Sequence, residues 1–240
     1  LERSGADVVH ISPSHHFPTG TVTPASRRYE LLGWAAKQEG RYIIEDEYDS
    51  EFRLVGNPIP ALQSIDASDK VIYMNTFLKS LSSTIRISYM VLPIPLMVRY
   101  NHVLSFYACT VSNFDQYTLT RFIQEGYLEK HINRMRKFYR NSRDRILGCI
   151  RNHRLYPQVT IKEENAGLHF LMEIDTSYTD REMVDRAAAA GINISSLSQY
   201  CHGKEQEDSH TLVINYSGIE EDIIEEACDR LLESVVRLTT

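Results

Sequence analysis

Three short stretches carry side chains able to hold a small charged molecule. His15-His16-Phe17-Pro18-Thr19-Gly20 sets imidazoles beside a Pro/Gly turn. Asp46 and Tyr48 follow the apolar run Tyr42-Ile43-Ile44, two residues apart. An extended chain points both to the same side. Thr76, Lys79 and Arg86 lie between the apolar runs Val71–Met74 and Ile87–Leu92. An acid, a phenol, a hydroxyl, an amine and a guanidinium on adjacent strand ends suit a small anionic aromatic ligand, with Arg86 forking onto the anion. The plainer alternatives are a solvated Lys79, a turn aspartate at 46, a core tyrosine at 48 and a structural ion pair at Arg86. Glu45, Glu47, Asp49 and Glu51 read as solvated or paired with nearby basic groups. No metal is expected: no Cys or carboxylate completes a ligand set near His15 and His16.

These groups need elements to position them. Asp7–Ile11 reads as a strand, and Pro13 to Pro24 as a loop punctuated by Pro and Gly. A helix follows, with Thr23 as expected N-cap and Pro24 in its first position. Leu31, Leu32, Trp34, Ala35 and Ala36 give it one buried face, and Gly40 ends it. Arg41–Ile44, Val71–Met74 and Ile87–Leu92 are further strands. Continuous apolar strands alternating with a helix predict a mainly parallel sheet covered on both sides. Ligands of such sheets sit beyond the carboxyl ends of the strands, where the three stretches fall.

Residues 96–150 read as helix with little interruption, the long part running from 115 to 150. The basic residues Arg134, Arg136, Lys137, Arg140, Arg143 and Arg145 read as a solvated helix face. Val159–Ile161, Leu168–Met172 and Leu212–Tyr216 are short strands; Arg181–Ala190 and Glu220–Leu238 are helices. That texture predicts a smaller α+β unit. The expected organisation is a partial large domain over 1–114, a long interdomain helix over 115–150 and a small domain over 151–240.

Bulk properties bound the function. At 240 residues the chain can bury a real core, and its net charge of −6 is a poor match for a nucleic-acid surface. No apolar run reaches the length of a membrane span. Cys109, Cys149, Cys201 and Cys228 are scattered, without zinc or redox spacing, so a reducing, cytoplasmic setting is expected.

HISPSHHFPTG, YIIEDEYDSEF and NTFLKSLSSTIRISYMVLP resemble three consecutive motifs of fold-type I aminotransferases, which use pyridoxal 5'-phosphate (PLP). They are most similar to the aminotransferase-like domain of MocR/GabR-type (GntR family) bacterial regulators, whose stretches read PSHQ(Y/F)PTG, EDDYDSEF and GTFSKSL…R in this order. The resemblance continues through Pro60–Gln63, the long helix and Asn165–Phe170, and so covers essentially the whole chain. It implies the latter half of a PLP-dependent large α/β domain followed by the small α+β domain. It also implies residue roles: Lys79 in a Schiff base with PLP, Asp46 on the pyridinium nitrogen, Tyr48 on the phenolic oxygen, Thr76 and Arg86 on the phosphate, and His16 as a ring contact where relatives carry Gln.

The resemblance further implies a sensor domain of a cytoplasmic transcription regulator that answers to a small amine or amino acid. It implies a homodimer, and DNA binding through a winged-helix domain upstream of these residues. The alternative is a catalytically active class I/II aminotransferase. Four departures bear on this choice. Asn75 replaces Gly and Leu78 replaces Ser. Gln199 stands where GABA-responsive members carry an arginine. The stretch Leu212–Tyr216 also lacks the arginine of amino-acid aminotransferases. A carboxylate loses its fork partner at both places, so neither GABA sensing nor efficient transamination of ordinary α-amino acids is expected.

Overall fold

A computed structural model describes the chain except Pro58, Ser83, residues 202–206 and residues 237–240. The described residues form two compact units. The first comprises residues 1–16, 21–51 and 56–135; the second comprises 17–20, 52–55 and 136–240.

The first unit is built on a four-stranded sheet ordered β1 (Val8–Ile11), β2 (Tyr42–Glu47), β3 (Val71–Thr76), β4 (Ser88–Val91). β1, β2 and β3 are parallel, with Ile11 opposite Glu45 and Glu47 opposite Asn75. β4 returns antiparallel, pairing Ser88 with Thr76. The mainly parallel α/β sheet read from the sequence is therefore present.

Side chains alternate across a strand, and the parity decides which face each residue serves. One face carries Val9, Ile11, Ile43 and Val71, which pack with Trp34 and Ala35 of α1 (Ala25–Ala36) and with Leu62 of α2 (Leu62–Ile65). Glu45, Glu47 and Asn75 share that parity and are buried. The opposite face carries His10, Ile44, Asp46, Met74 and Thr76, none of them buried.

The acidic cluster departs in part from expectation: Glu45 and Glu47 are buried, not solvated, while Asp49 is buried and paired with His15. Each has a partner that makes burial tolerable. Glu45 accepts from the backbone N–H groups of Leu62 and Gln63 at 2.6 and 2.9 Å, at the start of α2. Buried Arg28 donates to the carbonyls of Thr23, Pro60 and Pro13 at 3.0, 2.8 and 2.8 Å, tying three loop segments together. The N-cap of α1 is Pro24, with no side-chain cap, in place of the expected Thr23.

The expected long helix is interrupted. α3 (Ile94–Leu104) is separate, and residues 115–150 fall in α4 (Asn113–Gln124) and α5 (Tyr127–Asn152). Gly126, at φ 74°, makes the break. A left-handed residue ends the i to i−4 ladder, and its N–H turns back to the carbonyl of Ile123 at 3.0 Å.

In the second unit a wholly antiparallel sheet runs β5 (Val159–Lys162), β6 (His169–Ile174), β8 (Thr211–Asn215), β7 (Ser195–Ser196). The two-residue β7 has no readable sequence signal. Tyr139, Ser142, Arg143, Ile146, Leu147 and Ile150 form the buried stripe of α5, spaced by three and four. α6 (Asp180–Ala189) opens on a capping box between Thr179 and Glu182. α7 (Ile224–Val235) buries Ile224, Cys228, Leu231, Leu232 and Val235. The last residues of the expected 220–238 helix, 237 and 238, lie outside the described residues. Among the described residues no helix is long and apolar enough to cross a membrane.

Candidate functional site

The parallel register brings the carboxyl ends of β1, β2 and β3 to one edge of the first sheet. β4 runs the other way, so the segment before Ser88 starts at the same edge. His16 follows β1, Asp46 lies at the end of β2 with Tyr48 just beyond it, Thr76 ends β3 with Lys79 in the turn after it, and Arg86 precedes β4. All six predicted residues thus belong to one edge of one unit. Residues 17–20 group with the second unit.

Asp46 and Thr76 have the same parity and share the face opposite the helices. Asp46 is ionisable and only partly covered; its Oδ2 lies 3.2 Å from His10 Nε2. His10 occupies the same face of β1, opposite Ile44. The sequence reading missed it, because strand pairing, not spacing along the chain, sets a histidine beside an acid 36 residues away.

Tyr48 is half-buried, and its hydroxyl lies 3.3 Å from Nδ1 of buried His15. The same Nδ1 lies 2.8 Å from Asp49 Oδ2. A carboxylate only accepts, so Nδ1 carries the proton and directs it to Asp49. The Tyr48 hydroxyl then has no acceptor in His15, and its own hydrogen is left for another partner. Burial first, then the charges of Asp49, Asp46 and Glu47, push the Tyr48 pKa upward. It therefore stays a phenol and a donor. Asp49 also corrects the expectation that no carboxylate lies near His15.

Thr76 shapes the turn that carries Lys79. Its Oγ1 accepts from the N–H of Leu78 at 3.2 Å and lies 3.3 Å from the Ile87 carbonyl. Buried Asn75 supports it from the helix face. Asn75 Oδ1 accepts from the Thr76 N–H at 2.6 Å, while Nδ2 donates to Glu51 Oε1 at 3.1 Å and to the Tyr73 hydroxyl at 2.9 Å. Lys79 is half-buried and Arg86 exposed; among the described residues neither makes an ion pair. His16 is exposed, its backbone N–H bonded to the Thr21 carbonyl at 3.0 Å.

No family model matches the chain. It is 40% identical over 232 residues to an uncharacterised HTH-type transcriptional regulator, YdeL, of Bacillus subtilis, covering 96% of this chain and 49% of that protein. It is 32% identical over 237 residues to the probable rhizopine catabolism regulatory protein MocR of Rhizobium meliloti, covering 98% and 47%. Among solved structures it resembles the kynurenine aminotransferase of Pyrococcus horikoshii, in complex with PMP, with a TM-score of 0.83 and 28% identity over 98% of this chain and 58% of that one.

The fold is that of an aminotransferase-like α/β domain of fold type I. The chain belongs to the MocR-type family of HTH regulators and corresponds to their carboxy-terminal, aminotransferase-like part. It spans about half the length of the curated relatives it matches.

Proposed function

We propose that this chain is the PLP-binding, effector-sensing part of a bacterial transcription regulator, with the cofactor held covalently on Lys79. The observation that carries this reading is the convergence of Asp46, Tyr48, Thr76, Lys79 and Arg86 on one sheet edge, with the Tyr48 hydroxyl hydrogen uncommitted. The donor set fits PLP: an acid, a phenolic donor, an amine and a guanidinium match its ring nitrogen, phenolic oxygen, aldehyde and phosphate.

PLP, when bound, supplies an aldehyde and an electron-withdrawing ring. The chain's residues do the rest. Asp46 holds a proton on the ring nitrogen. Tyr48 donates to the phenolic oxygen. Lys79 would offer its amine to the aldehyde. Arg86 takes the phosphate through its fork, and Thr76 joins by releasing its hydroxyl from the Ile87 carbonyl. His16 lies at the same edge as a ring contact.

The effector would be a small amine or amino acid, carrying the same reactive group as Lys79. Gln199 and β8 offer no guanidinium for a carboxylate, which argues against GABA. Binding shifts a population of conformations only by its differential affinity for them, and the output is DNA binding through a winged-helix domain upstream. Large apolar side chains stand exposed on α3 and α4, including Ile94, Val98, Phe114 and Tyr117. Such surface suits a homodimer, and the regulator reading implies a cytoplasmic setting. The second reading, an active aminotransferase, draws on the likeness to solved aminotransferases; there Lys79 would also shuttle a proton.

The deciding experiment is borohydride reduction of the intact, PLP-loaded protein followed by peptide mass spectrometry. The expected result is a pyridoxyl adduct on the Lys79 peptide, absent in Lys79→Ala. An intact protein that takes no adduct on Lys79 overturns the proposal. Steady conversion of an amino donor to its keto acid would favour the second reading.

A further inference from the structure

We propose that His10 is a positioning residue for Asp46, an inference that rests on the PLP reading above. His10 Nε2 lies 3.2 Å from Asp46 Oδ2. The parallel register puts His10 opposite Ile44, two residues before Asp46 and on the same face of the sheet. That face carries Asp46 and Thr76, whereas the buried acids Glu45 and Glu47 point to the other.

The chemistry follows from the inventory of donors and acceptors. An ionised Asp46 only accepts, so His10 Nε2 must carry a proton and donate it. That occupies Oδ2 and restricts rotation of the carboxylate. Oδ1 remains for a second donor, and the ring nitrogen of PLP is a donor when protonated. A positioned carboxylate orients such a donor better than a rotating one, as an outer partner does for a metal ligand. His10 also draws charge from Oδ2. The pair is partly exposed, with side-chain exposures of 60% and 36%. Its effect is therefore that of an ordinary solvated hydrogen bond, not of a buried charge pair.

The test uses the intact protein, upstream portion included, with His10→Leu, His10→Gln, Asp46→Asn and the His10→Leu/Asp46→Asn double variant. Two readouts are taken: the Kd for PLP, and the ¹⁵N chemical shift of PLP labelled at the ring nitrogen, which reports whether that nitrogen is protonated. The expected result for His10→Leu is a Kd raised about three- to tenfold, the yield of one ordinary hydrogen bond, with a ¹⁵N shift moved toward the neutral ring. His10→Gln, which keeps a donor, recovers both. In the Asp46→Asn background His10→Leu adds nothing, because the cycle isolates the pair.

A His10→Leu protein indistinguishable from wild type in both readouts overturns the inference and leaves the PLP reading standing. So does an equal His10→Leu effect with and without Asp46, since it would place the action elsewhere. A wild-type protein that fails to bind PLP removes the reading itself, and this inference with it.

Discussion

His15 donates through Nδ1 to Asp49 Oδ2 across 2.8 Å, with both side chains buried. The Tyr48 hydroxyl stands 3.3 Å from the same nitrogen, too late to claim its proton. The two contacts have different consequences. Asp49→Ala removes the short buried acceptor of His15 and should cost about 1–3 kcal/mol of stability. Tyr48→Phe removes only a long, secondary contact and should cost less than about 1 kcal/mol. Its penalty should fall on PLP binding. Urea unfolding of the unloaded protein separates the two, and PLP titration then reads the second alone.

Much of this site was legible in the sequence. Apolar runs marked the strands, and parallel strands bring their carboxyl ends together, so His16, Asp46, Tyr48, Thr76, Lys79 and Arg86 could be assigned to one edge. What was not legible is what the other parity does. Glu45, Glu47 and Asp49 look like surface residues because they are acids. Glu45 and Glu47 are buried because the pleat turns them inward, to α2 and Ser14, and Asp49, just beyond the strand, is buried against His15. Cross-strand partners such as His10 depend on a register that one sequence does not display.

Glu47 should give the protein a measurable pH signature. Burial, opposed by the Ser14 hydrogen bond and raised further by Glu45, pushes its pKa from 4.5 to about 7. The folded state thus holds a proton that the unfolded state has lost between those values. Stability from this group is greatest below about pH 4.5 and falls as pH rises toward 7, by up to about 3 kcal/mol. Glu47→Gln keeps an acceptor for Ser14, whose hydroxyl donates at 2.6 Å, and removes the titration. The variant should be more stable than wild type at pH 8 and nearly equal at pH 4.5. Unfolding curves at the two pH values check the sign.

The interrupted helix shows how one residue decides a boundary. The stretch from Asp115 to Ile150 has helical periodicity throughout, and Gly126 alone is compatible with the left-handed turn observed there. Among the described residues, none beyond the adjoining ones lies within 4 Å of where a Cβ would stand, so any cost of Gly126→Ala is conformational, not steric. It should destabilise by about 1 kcal/mol. A variant as stable as wild type would mean that α4 and α5 can join into one continuous helix.

Asn75 offers the sharpest separation between support and contact. It stands on the helix face of β3, yet its Oδ1 fixes the Thr76 N–H at 2.6 Å, and Thr76 in turn closes the turn leading to Lys79. Its amide also joins Glu51 to the Tyr73 hydroxyl. Asn75→Ala removes all three bonds inside a buried site and should cost about 1–3 kcal/mol of stability. Asn75→Asp keeps the acceptor for Thr76 but sets a carboxylate against Glu51, so it should fare no better. The consequence for the cofactor is indirect. A looser turn holds Lys79 less well, so PLP should bind more weakly to Asn75→Ala although Asn75 lies on the opposite face from Asp46. Arg86→Ala is the contrasting control: it should weaken PLP binding about tenfold or more by removing a charged fork while leaving unfolding unchanged, because Arg86 is exposed. If both variants weaken binding but only Asn75→Ala lowers the unfolding midpoint, support by Asn75 and contact by Arg86 are distinguished. If Asn75→Ala leaves both quantities unchanged, the network around Asn75 has no part in holding the Lys79 turn.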